Sequence, residues 1–271
     1  MKRMKKTGLL LLVCLLLPFT GIVSMAGQWE QNSLGIWSYR YWDGDLLKDN
    51  WYWIDGDLDG TAECYRFDEQ GYMYQNTRTP DGYTVDDTGA WIVDEVRQLK
   101  PIERENTGRA FEHAVVNGSV LSNSWSDYSL IIPPGSDVEP TVSYRDPKKT
   151  EPSFYDSVIQ TTEEEGSFTM YIWYQYDREP GMPAADQIRK HNYDLVHSFR
   201  YPESFVEMEQ SVGGHIFSGT RFYGWDVGHI QFKRKIDDMI MNVTFSYPHT
   251  AKSEDKVEQL IESIMPEGSR K

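Results

Sequence analysis

The sequence predicts an α+β chain of two units, a β-hairpin repeat solenoid over residues 27–100 followed by an α/β/α domain with a central antiparallel sheet over residues 101–271. Three observations lead there. Asp-led turn signals recur at Asp43, Asp55, Asp68 and Asp81, at intervals of 12, 13 and 13 residues, with short aromatic-x-aromatic runs between them. All six histidines lie beyond Lys100, and the crowding of Trp, Tyr, Gly and Asp that marks the first unit stops near Pro101. Past that point, runs of period two are interrupted by two stretches of helical period.

The chain opens with Lys2, Arg3, Lys5 and Lys6, an apolar run from Leu9 to Leu17, and Ser24-Met25-Ala26 ahead of Gly27. This is the layout of a secretory signal peptide over residues 1–26, cleaved after Ala26. A membrane-spanning helix needs about 20 apolar residues, so none is expected once the leader is gone. Cleavage would remove Cys14 and four positive charges, which moves the formal net charge from −15 to −19 and leaves Cys64 alone. A single cysteine forms no intrachain disulfide. So acidic a chain, without a Lys/Arg-rich stripe, argues against a nucleic-acid partner, because phosphates must be neutralised by basic patches. The expected location is outside the cytoplasm, at the cell wall or cell surface.

In the first unit, Trp37-Ser38-Tyr39, Trp51-Tyr52-Trp53, Tyr65-Arg66-Phe67 and Tyr72-Met73-Tyr74 have the alternation of strands, and the Asp-Gly pairs between them signal hairpin turns. Hairpins this short cannot bury a face alone, so stacking along an axis supplies the core. Alternation puts Trp51 and Trp53 on one face. Aromatic faces attract quaternary ammonium groups and stack on sugar rings, which makes Trp37, Trp51, Trp53, Tyr65, Tyr72 and Met73 the candidate ligand-binding residues. Most such rings also serve as core in so thin an array. The segment from Asp55 to Glu63 follows the first nine positions of a calcium-binding loop, with Asp55, Asp57, Asp59 and Glu63 as candidate ligands. Arg66 stands where the closing bidentate carboxylate belongs, and strand-like runs flank the loop, so a plain Asp/Gly hairpin turn is the competing reading. No other cofactor is indicated.

Lys100 to Asn106 reads as the connection between units. Beyond it, Tyr128–Ile132 and Phe168–Tyr176 are strand-like, Pro183 opens a helix through Phe199, and strands return near 204–209, 212–218, 229–236 and 239–247. A final helix carries Val257, Leu260, Ile261 and Ile264 on one face, with Ser253 as the expected N-cap.

Gly35-Ile36-Trp37, Trp51-Tyr52-Trp53-Ile54-Asp55-Gly56, the run from Cys64 to Met73, and Thr79-Pro80-Asp81-Gly82-Tyr83 together resemble the cell-wall-binding, or choline-binding, repeats of bacterial surface proteins over residues 28–98. That resemblance implies anchoring to a wall polymer or related glycan, with choline as one ligand. Tyr128 to Pro133 as an opening strand, and Met241 to Pro248 leading into the last helix, resemble the PsbP-like fold, a sheet covered by helices. A fold of that kind implies no particular chemistry.

The sequence carries no recognisable catalytic constellation. His191, Asp194 and His197 fall at three-residue steps, which turn away from one another on a helix. No Gly-x-Ser-x-Gly elbow or phosphate loop is present. Glu163-Glu164-Glu165 would suit a glycosidase pair but reads as a solvated acidic run. The sequence therefore predicts a secreted binding protein whose second unit meets a partner of unknown kind, and not an enzyme. A surface glycan hydrolase targeted by the repeats is the alternative.

Overall fold

The computed structural model describes residues 27–140, 154–161, 166–199, 205–224 and 226–269. The expected signal segment and Glu163-Glu164-Glu165 lie outside these residues. Among them the chain is mostly β, with several antiparallel sheets and two helices.

The first unit holds three small sheets. β1 (Gln28–Gln31) and β2 (Trp37–Arg40) form a hairpin; β3 (Trp51–Ile54) pairs with β4 (Thr61–Arg66); β5 (Thr77–Arg78), β6 (Thr84–Val85), β7 (Trp91–Val93) and β8 (Val96–Arg97) make a meander; and β9 (Leu99–Pro101) returns to β4. A stack of equal hairpins, as expected of a solenoid, is not what these sheets make. What repeats is a turn. In the segments 32–36, 41–45, 68–72, 79–83 and 86–90, the first residue's N–H bonds to the fifth residue's carbonyl, and the fourth residue's N–H bonds back to the first residue's carbonyl. The fourth residue is Gly35, Gly44, Gly71, Gly82 or Gly89, with φ between +80° and +96°, a region costly for any residue with a Cβ. Asn32, Asp68 and Asp86 reinforce their turns by accepting two amides each. The spacing of 12 to 13 residues read from the aspartates therefore mixes these turns with the longer acidic loop after β3. Tyr72-Met73-Tyr74 forms no strand, only an isolated bridge from Met73 to Phe67.

In the second unit, β10 (Val115–Asn117), β11 (Val120–Asn123) and β12 (Tyr128–Ile131) form a small sheet. The large one contains β13 (Ser136–Pro140), β14 (Phe154–Thr161), β15 (Phe168–Tyr176), β16 (Val206–Val212), β17 (His215–Gly224), β18 (Val227–Ile236) and β19 (Met239–Pro248), in the order β13-β14-β15-β19-β18-β17-β16. Helix α1 (Ala184–Phe199) follows β15 and α2 (Ala251–Ser263) follows β19. The strands' alternation divides the sheet into two chemically different faces. One presents Phe217, Ile230, Phe232, Met241, Val243 and Phe245 to Val257, Leu260 and Ile261 of α2 and to Leu121 and Leu130 of the small sheet, which forms the main core. The other presents Thr220, Lys233, Lys235 and Asn242, and α1 lies over it, with Asn192 bonded to Thr220. Each face thus carries one helix, and β units cover much of the remainder, so the helical layers expected of an α/β/α sandwich are thin. The N-cap of α2 is Thr250, not Ser253: its hydroxyl accepts the Ser253 amide at 3.2 Å, and Ser253 is buried inside the first turn.

The two units pack closely. Met182, fully buried, belongs to the apolar cluster of Tyr39, Leu47, Tyr52 and Phe67. Backbone and side-chain bonds then stitch the seam: Asp55 N–H to Gly181 O at 2.7 Å, Arg189 to Trp51 O at 3.2 Å, and the Trp53 amide to Asp186 at 3.1 Å.

Candidate functional site

An open cavity of about 390 Å³ lies where three of the turn units meet, lined by Trp29, Trp37, Tyr65, Met73, Gln75, Asp87 and Thr88. Trp29 stands edge-on to Trp37, ring centroids 6.5 Å apart, and to Tyr65 at 4.8 Å. The hairpin of β1 and β2 supplies the two tryptophans; β4 and the turn after it supply Tyr65 and Met73; the turn at 86–90 supplies Asp87 and Thr88. Register explains the convergence. Trp37 and Met73 each fall two residues after a turn glycine, and the Met73 amide donates to the Trp37 carbonyl at 2.8 Å. Gly89 abuts the Met73 thioether, where a Cβ would collide, so the third turn closes against the methionine. Burial pushes the Tyr65 phenol up to about 12. Three π-faces, a polarisable thioether and one carboxylate form a box for a cation of low charge density or for the apolar face of a sugar.

The other sequence candidates are placed elsewhere. Trp51 and Trp53 pack with Trp91, centroids 6.1 Å and 6.3 Å away, and Tyr83 completes this second aromatic cluster. The Trp51 indole N–H donates to Asp81 at 2.7 Å. Tyr72 is 41% exposed and lies outside the cavity lining. Trp29 is absent from the sequence candidates because it stands outside the aromatic-x-aromatic runs from which they are taken. Its signal was Asn32 followed three residues later by Gly35, the spacing of Asp68 to Gly71 and Asp86 to Gly89.

Asp55, Asp57 and Asp59 each place one carboxylate oxygen within 4.8 Å of the others. Asp55 is buried and accepts the amides of Asp59 and Gly60 at 3.1 Å and 2.7 Å, so part of its charge is spent on shaping the turn. Glu63 is not in that group; its nearest cation is Arg97, at 3.7 Å. Asp194 is paired with Lys190 at 2.6 Å and His197 stacks on Tyr193, so both are engaged in local contacts along α1.

The seam between the units holds the most perturbed acid. Glu179, 2% exposed, accepts the Tyr39 hydroxyl at 2.9 Å, the Trp42 amide at 2.8 Å and the Gly27 amide. Burial raises its carboxyl to about 7 despite those three donors. Beside it, burial also pushes Asp177 up, but Lys235 at 2.8 Å and Arg104 outweigh that and hold it below the usual carboxylate range.

No family model matches the chain, and no curated protein sequence does. Among solved structures, cyanobacterial PsbP (CyanoP) from Synechocystis sp. PCC 6803 is weakly similar, at 12% identity and a TM-score of 0.36, covering 56% of this chain and 95% of that one. A protein from Bacteroides thetaiotaomicron VPI-5482 gives 12% identity and a TM-score of 0.31 over 58% of this chain and 51% of its own. MucB in complex with MucA(peri) gives 13% and 0.25 over 90% and 87%.

Proposed function

We propose that the protein is a secreted binding protein held at the cell wall or cell surface by residues 28–98, acting as cell-wall-binding repeats, and that it is not an enzyme. Residues 101–271, in a PsbP-like layout, serve as the partner-binding unit. The observation that carries this reading is the cavity lined by Trp29, Trp37, Tyr65 and Met73 between successive turn units. Its ligand is a wall polymer or glycan, and a quaternary ammonium such as choline suits it best. Its quaternary nitrogen has no N–H to donate, so π-faces and the nearby Asp87 carboxylate are the partners available to that charge.

The test is titration of the full chain with choline, followed by tryptophan fluorescence, beside co-sedimentation with purified wall. Trp37→Ala should weaken both by about tenfold, as expected from losing 1–2 kcal/mol of cation–π contact. Tyr72→Ala, outside the lining, should bind as the native chain does. Wall retention equal for the native chain, Trp37→Ala and an unrelated acidic protein defeats the anchoring reading; failure of choline to compete, with retention intact, replaces only the ligand.

A further inference from the structure

The large sheet opens at one corner. β17 and β18 stay paired from Gly224 and Val227 as far as Ser218 and Lys233. Below that pair β17 continues only with β16, to His215 opposite Val212, and the chain from the first unit takes its place beside β18. There Glu105 donates its amide to Lys235 O at 3.1 Å and accepts the Asp237 amide at 2.7 Å. Between the parted strands, this inserted segment and the start of α1 lies a cavity of about 500 Å³, lined among others by Lys100, Ala184, Ala185, Ser218 and Lys233. That volume is within the range of small-molecule sites.

Lys233 is 7% exposed, and no hydrogen-bond or ion-pair partner is found for it among the described residues. Its charged neighbours are matched: Lys235 and Arg104 with Asp177, and Arg234 with Glu105 at 3.6 Å. Asp177 lends this ammonium part of its negative charge but is bonded to Lys235 and Arg104, so the cost of burying Lys233 is offset only in part and its Nζ keeps a free side for a further acceptor. The second source of positive potential is α1, a helix of 16 residues. The Pro183 carbonyl accepts from Asp186 and Gln187, whereas first-turn amides such as those of Ala184 and Ala185 have no acceptor within a helix. Asp186, the acid of that turn, is turned toward the first unit, where its Oδ1 accepts the Trp53 amide and Arg189 at 2.7 Å. Glu103 and Glu209 also line the cavity and disfavour a ligand with a second negative group.

We propose that this cavity binds a small ligand through a single anionic group, a carboxylate or a phosphodiester, held by Lys233 and the first-turn amides of α1. The ligand's charge compensates the ammonium that the fold leaves without a partner. Burial lowers Lys233 to about 8, so at neutral pH it still carries the charge such a ligand needs.

Acetate and dimethyl phosphate are suitable probes, because each stays singly charged from neutral to alkaline pH, and together they separate the two anion chemistries. Each is titrated into the full chain at constant ionic strength and followed by amide chemical shifts. Saturable shifts at Ala184 and Ala185 are expected with at least one of them. Lys233→Met should weaken that binding by tenfold or more, and Lys233→Arg should retain most of it. Should Lys233→Met fail to fold, the native chain still decides. The charged and titratable groups around the ammonium are Lys235, Asp177 and His191, with Lys100, Glu103, Arg104, Glu105, Glu209, His215 and Arg234 on the cavity wall, and the affinity should fall as pH rises through about 8, where Lys233 and the neighbouring Lys235 both lose charge, more steeply in the native chain than in Lys233→Met. Absence of saturation with both anions overturns the proposal. So does equal affinity in Lys233→Met, or a flat pH profile.

Discussion

Replacing Glu179 by Gln, in a chain that keeps residues ahead of Gly27, is expected to flatten the fall in stability between mildly acidic and neutral pH. Burial lifts this carboxyl from 4.5 to about 7, so the folded chain holds its proton more tightly than the unfolded chain does. The sign follows from linkage: the contribution is fully present below pH 4.5 and is lost as pH rises through about 7. The displacement corresponds to roughly 3 kcal/mol, at about 1.4 kcal/mol per pKa unit. Gln mimics the neutral acid, since its oxygen can accept the Trp42 amide and its NH2 can donate to the Tyr39 oxygen. Asp186, raised by burial to about 6, adds a slope of the same sign to both chains and cancels in the difference. Lys233 and Lys235, lowered by burial to about 8, act in the opposite direction, and only at more alkaline pH. Urea unfolding followed by tryptophan fluorescence, from about pH 4.5 to about pH 7.5, reads the effect. The difference between variant and native chain should move by about 3 kcal/mol in favour of the variant across that range. Parallel profiles would refute the claim that Glu179 is desolvated without a compensating cation.

Millimolar calcium should raise the melting temperature of the native chain if the Asp55, Asp57 and Asp59 carboxylates bind it, and Asp57→Asn with Asp59→Asn should abolish the rise; indifference to calcium and chelator would leave a hairpin turn. Gly181→Ala should destabilise the seam by about 1–3 kcal/mol, because its Cβ would collide with the Asp55 carbonyl that lies against it. Thermal denaturation by circular dichroism measures that loss, and an unchanged melting temperature would show that the seam adjusts freely.

The second unit was the more legible. The expected strand at Phe168–Tyr176 and the helix beginning beside Pro183 both appear, because each buries one face and has a clear period. The N-cap of α2 lies one turn ahead of the Ser253 that the sequence suggests. Thr250 and Ser253 are both competent caps, and only the extended backbone of Thr250 decides between them. In the first unit the aromatic pattern named Trp37, Tyr65 and Met73, which line one cavity, along with Trp51, Trp53 and Tyr72, which do not, because local alternation does not reveal which hairpins meet. That depended on the backbone bond between Met73 and Trp37 and on Gly89 closing against the methionine. The cavity beside Lys233 had no sequence signal. A lysine inside a strand reads as solvent-facing until the inserted segment around Glu105 and the start of α1 are seen to cover it.

The contact between Gly27 and Glu179 bears on maturation. On the proposed reading, in which residues 1–26 are a leader cleaved after Ala26, cleavage would turn the Gly27 amide into a terminal ammonium beside a buried carboxylate. One proteolytic event would then both release the chain and place a cation beside Glu179, the seam acid with no ion pair among the described residues. A chain beginning at Gly27 should hold Glu179 ionised and show little of the pH slope described above, whereas a single extra residue at the front should restore it; identical slopes in the two forms would separate export from docking.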